Sequence, residues 1–230
     1  MIKRMYFTMF ILLGLVCTGT PAMASATPPT QSEIVQEMGT RSELLVNALL
    51  GKDRQLAGQH YRQLKADLDQ LHALSAKMNF SERRTRELFT AYSWMRLIAI
   101  DMRAGTWTGA AIAANQMSGE IIRFTDFVSL TLRDIAWMDY LGRDVMLLSM
   151  EDMQGNRQNI DLRRNELGET WKRVREDMIK DFRNKTLVIR GDQLIERMQQ
   201  AGDSKSLIEL SRKEHDFVLQ IRKALTAKKT

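Results

Sequence analysis

Three histidines, His60, His72 and His215, are the only imidazoles this chain offers for proton transfer or metal ligation. His60 and His72 are twelve residues apart, which puts them on different faces of one helix. Asp69-Gln70-Leu71-His72 has the carboxylate–histidine spacing of di-iron bundles, but such a site needs the motif twice, plus inward carboxylates from other helices. Met146, Met150 and Met153 recur at i, i+4, i+7, with Met138 two turns earlier. Thioethers are soft ligands suited to Cu(I), and these three are the metal candidates. A methionine stripe also serves as flexible core filling or an adaptable contact surface, and core filling is the expectation. Trp107 directly follows a Gly105-Thr106 break. It is placed at a bundle end, where an aromatic can line a partner contact or close the core.

Most catalytic signatures are missing from the sequence. There is no Walker A loop, G-x-G-x-x-G, G-x-S-x-G, H-E-x-x-H or EF-hand loop. Cys17 is the only cysteine. It falls in a segment, residues 1–24, that reads as a secretory signal peptide. Lys3 and Arg4 precede a short apolar stretch, and Ala22-Met23-Ala24 is a small-x-small cleavage site, with Ala24-Ser25-Ala26 as a second candidate. The mature chain is then cysteine-free, without disulfide, thiolate metal site or covalent haem. A periplasmic or secreted location follows, with no transmembrane segment after cleavage. The net charge of +6 is carried by basic groups interleaved with acids, such as Arg83-Arg84 and Arg163-Arg164. They read as solvated helix faces, not as a nucleic-acid footprint.

The elements that must position these residues are helices. The three prolines are Pro21, Pro28 and Pro29, and none occurs from Thr30 to Thr230. Proline clashes inside helices, so long helices exclude it. Residues 25–31 form a polar linker. Helices are predicted over about 32–50, 52–77, 81–104 and 106–127, then 130–153, 156–184, a third ending at Ala201, and a last one to about Ala224. Asn79 or Ser81 can cap the third. Leu64, Leu68, Leu71, Leu74 and Met78 make one apolar stripe of the second helix, as do Leu167, Trp171, Val174 and Met178 of the sixth. Leu64, Leu68 and Leu71 match Leu167, Trp171 and Val174 at a constant offset, which suggests an internal duplication.

The layout of each half resembles the cytochrome c-prime type of four-helix bundle. Ala201-Gly202-Asp203 matches that family's break before the last helix, and Ser211-Arg212-Lys213-Glu214-His215 keeps the haem-attachment spacing with both cysteines replaced. The first half has no histidine in its fourth helix. The resemblance implies a bundle without covalent haem, in which His215 and Met138 are the pair that would hold haem non-covalently. Beside Lys213, Glu214 and Asp216, His215 otherwise reads as an exposed polar residue.

The expected fold is all-α: two tandem antiparallel four-helix bundles, residues 32–127 and 128–227, or one elongated bundle. No cofactor is expected. The expected role is non-enzymatic: an interaction, scaffold or ligand-sensing module of the bacterial cell envelope, with an envelope protein or small ligand as partner. A haem- or metal-binding periplasmic bundle is the alternative.

Overall fold

The computed structural model describes residues 29–182 and 184–226. The predicted signal peptide with its candidate cleavage sites, Cys17 and the basic Lys228-Lys229 tail lie outside the described residues. Eight helices follow in order: α1 (Gln31–Leu50), α2 (Arg54–Met78), α3 (Glu82–Ala104), α4 (Trp107–Phe124), α5 (Leu130–Asp152), α6 (Arg157–Asp177), α7 (Lys185–Gln200) and α8 (Ser204–Thr226). The described residues contain no strand.

Local chemistry sets the helix ends. Gln31, read as linker, opens α1, because Thr30 and Glu33 form a reciprocal capping box. Ser81 caps α3, whereas Asn79 closes α2 in the left-handed region. Helix α4 stops at Phe124, short of the predicted Phe127, where Thr125 turns extended; Ser129 then caps α5. Helix α6 is also shorter than predicted and gives way to a π-helical turn, Met178–Phe182.

Each half has its own core. Helix α1 packs on α2 and α4, and α3 packs on α4 and α2; in the second half α5 packs on α6 and α8, and α7 on both of those. Leu45, Leu64, Leu68, Leu88, Ile98 and Met117 belong to the first core. Ile135, Leu141, Trp171, Val174, Phe217 and Ile221 belong to the second. The α2 stripe ends earlier than predicted: Leu71 is fully buried, Leu74 is half-buried and Met78 is exposed, because the helix runs out past the core. The halves meet where α4 packs on α5. Leu147 of α5 joins the first core, and Ile112 of α4 packs against both.

Short connections make neighbouring helices antiparallel, so the turns sort to two ends. The turns with Gly51, Gly105, Gly155 and Gly202 share one end. The α2–α3 turn, the 125–129 linker and the α6–α7 turn share the other, the linker end. Close packing needs a missing Cβ at Gly191 of α7. A Cβ there would stand 2.2 Å from the Trp171 ring and 2.8 Å from the Phe217 ring. Those rings meet edge to face with centroids 5.5 Å apart.

Candidate functional site

The seam between the halves carries charge where a core would be apolar. Asp139 and Arg143 on α5 face α8 and α1. Asp139 is 1% exposed and Glu214 of α8 is 0% exposed. The His215 ring nitrogen Nδ1 lies 2.7 Å from Asp139 Oδ1. Arg143 Nη2 stands 3.3 Å from Asp139 Oδ2, and Arg222 Nη2 3.7 Å from the same oxygen. Arg143 also crosses the seam, at 3.7 Å from Glu43 of α1. Its Nε is buried without an acceptor.

These contacts set the protonation states. Burial pushes the Asp139 carboxyl up, but the His215 hydrogen bond and the Arg143 and Arg222 charges outweigh it and hold it below the usual range. The hydrogen bond to Asp139 holds the His215 imidazole above its usual value, against the pull of burial. Burial, reinforced by the Asp139 charge, pushes Glu214 well above the carboxylate range, and the two arginines only oppose this in part. That shift favours the protonated form of Glu214. Neither of its oxygens finds a partner, nor does the Ser211 hydroxyl one turn away. A notch at Gly142 admits it: a Cβ on Gly142 would sit 1.9 Å from Glu214 Oε2.

A second polar knot lies further along the seam. Buried Asp144 accepts from Arg163 Nε at 2.8 Å, Gln116 Nε2 at 2.9 Å and Asn115 Nδ2 at 3.3 Å. Tyr140 donates to Gln116 Oε1 at 2.9 Å. Buried charges of this kind cost desolvation free energy, so they are a poor way to gain stability alone.

Beside the first cluster runs a cleft of about 370 Å³ between α1, α4, α5 and α8. Val35, Ile121, Phe127, Leu132 and Ala136 make its apolar wall, while Glu43, Asp139, Arg143 and Arg222 make its charged end. Serines complete the lining: Ser118 donates to Ser42 at 3.0 Å, and Ser42 donates to the Gly39 carbonyl at 2.8 Å.

The residues singled out from sequence fall in several places. His215 is half-buried and bonded across to α5, not a free surface residue, because α8 turns that face to Asp139. Met138 is fully buried in the second core. The methionine stripe is divided: Met146 packs on the first core, Met153 on the second, and Met150 is exposed. Trp107 lies at the glycine end, half-buried, with the Arg54 guanidinium 5.8 Å from its ring centre. His72 and Asp69 are exposed and both contact Tyr92, at 3.4 and 2.9 Å. Among the described residues no three His, Cys, Asp or Glu side chains converge as a metal site. Arg163 and Arg164, read as solvated, are half-buried; Arg164 Nη1 donates to the Ala201 carbonyl at 2.7 Å.

Sequence reasoning missed Asp139, Arg143, Arg222 and Glu214, which look like any other charges on amphipathic helices. The one available signal was Gly142. A glycine inside a helix costs about 1 kcal/mol relative to alanine, so it marks a close approach. Compared with family models, curated proteins and solved structures, the chain finds no match.

Proposed function

We propose that this chain is an exported, non-enzymatic ligand-sensing module of the bacterial cell envelope, and that a small amphipathic ligand seats in the cleft between α1, α4, α5 and α8. One observation carries this reading: the cleft pairs an apolar wall with a charged end whose Arg143 spans the two bundles. The ligand's apolar part lies against Val35, Ile121 and Leu132. Its polar head accepts a hydrogen bond from the buried Arg143 Nε, a donor without a partner. About 370 Å³ falls within the ordinary range for small-molecule sites, roughly 300–1,000 Å³.

The same arginine supplies the sensing step. Arg143 touches Glu43 of the first bundle at 3.7 Å, a loose contact that a ligand head competes with. Occupancy then changes a tie between the halves, and the signal is their relative position. Asp139 and Glu43 are engaged in ion pairs, which suits binding more than proton transfer to a substrate.

Thermal unfolding with alkyl carboxylates and sulfonates of graded chain length tests this. A saturable rise in Tm with a probe such as decanoate, lost in Ala136→Trp, which fills the cleft, supports it. No shift with any probe, or an equal shift in Ala136→Trp, refutes it.

A further inference from the structure

A second groove flanks the α4–α5 seam, on the α3/α6 side at the linker end, and its chemistry differs. It encloses about 530 Å³, and four arginines, Arg83, Arg123, Arg133 and Arg173, line it beside Trp137. Just outside the lining Glu87 pairs with Arg83 at 2.9 Å and Glu120 pairs with Arg123, so that with Arg84 five guanidiniums meet four carboxylates, of which Asp126 and Asp134 share the lining. Both carboxylates are already engaged. Asp126 accepts from Arg84 at 2.9 Å. Buried Asp134 accepts from Arg173 at 2.7 Å and from Arg133 at 3.2 Å, so one carboxylate serves two guanidiniums. The Arg123 guanidinium is held 5.6 Å from the Trp137 ring centre.

The linker beside this groove lifts Val128 and Leu130 into solvent. At 79% and 69% they are the most exposed large hydrophobic residues among those described. Met78 and Ile179, in the other turns of the same end, are exposed as well, each close to a lysine, Lys77 and Lys180. Aliphatic side chains ringed by arginines match one kind of surface. The apolar groups suit the boundary between headgroups and acyl chains, and guanidiniums pair with phosphate bidentately. A protein partner would bring carboxylates and a shaped apolar patch; here the apolar groups stand singly, beside five guanidiniums that share four carboxylates.

We propose that the linker end docks on an anionic phospholipid surface, with Val128 and Leu130 entering the headgroup boundary and the groove arginines on lipid phosphates. The groove and the cleft share Ile122, Thr125 and Phe127 in their linings, but no charged residue lines both.

Cosedimentation with vesicles tests it, using protein purified as it accumulates and its N-terminus read by mass spectrometry. Vesicles of phosphatidylglycerol with phosphatidylethanolamine are compared with phosphatidylcholine vesicles. Binding is expected to the anionic vesicles alone and to weaken with salt. Val128→Ser with Leu130→Ser should weaken it at least about fivefold, and Arg83→Gln with Arg133→Gln about tenfold or more. Circular dichroism of both variants checks that they remain folded. Several outcomes overturn the proposal. They are no vesicle binding, equal binding to phosphatidylcholine, or binding that neither folded double variant weakens. Binding of soluble glycerol phosphate without vesicle binding would also overturn it, since the groove would then be a small-anion site.

Discussion

The Gly142–Glu214 contact can be tested by a double-mutant cycle. An alanine at 142 puts a Cβ 1.9 Å from Glu214 Oε2 and 2.7 Å from its Cδ. Ordinary contact begins near 3.4 Å, so the carboxyl must retreat by about 1.5 Å. Glu214 is fully buried and has no solvent to retreat into. Overpacking of this kind costs about 1–3 kcal/mol. Against it stands the helix preference of alanine over glycine, about 1 kcal/mol. Gly142→Ala in the native background should therefore cost up to about 2 kcal/mol. In a Glu214→Ala background the clash is gone, and the same substitution should stabilise by about 1 kcal/mol. The interaction between the two positions is then about 1–3 kcal/mol, well outside the scatter of independent sites. Urea unfolding at pH 7, followed by circular dichroism for all four proteins, measures it. An effect of Gly142→Ala that is the same in both backgrounds, within about 0.5 kcal/mol, would show that Glu214 does not occupy the notch.

The titration of the same cluster leads to further outcomes. Glu214 has a folded pKa raised above its unfolded value, so the native state loses stability as pH rises past the ordinary glutamate value near 4.3. Glu214→Gln should flatten that limb, and its advantage over the native protein in urea melts should grow from pH 4 to pH 7; a constant difference would refute the upward shift of Glu214. His215 is also raised, so its contribution is full below about pH 6.5 and fades as pH rises through its folded value. His215→Ala should therefore cost more at pH 5.5 than at pH 9, with denaturation midpoints as the readout; an equal cost at both would separate the histidine from Asp139. Gly191→Ala should destabilise by about 1–3 kcal/mol and shift Trp171 emission, since its Cβ meets two buried rings rather than a flexible chain end. An unchanged melt and spectrum would mean that α7 sits further out.

Much of this protein follows from local chemistry, and that part is legible in the chain. The absence of proline after Pro29 permits long helices, the glycines at 51, 105, 155 and 202 mark one set of turns, and apolar residues three and four apart say which face goes inward. Leu167, Trp171, Val174 and Met178 are all buried, as that spacing requires. These signals depend on neighbours within one or two helical turns. What tertiary structure alone decides is which faces meet. Nothing near Glu214 in sequence distinguishes it from Glu209, yet one is sealed against Gly142 and the other pairs with Lys213 in solvent. Asp139, Arg143, Arg222 and Glu43 come from three helices, and only the packing of α5 on α8 and on α4, with α1 behind α4, brings them together. The methionine stripe shows the reverse: a regular spacing that the α4–α5 seam divides between two cores and solvent. Periodicity is written along the chain, whereas the burial of a particular charge depends on residues far away along it.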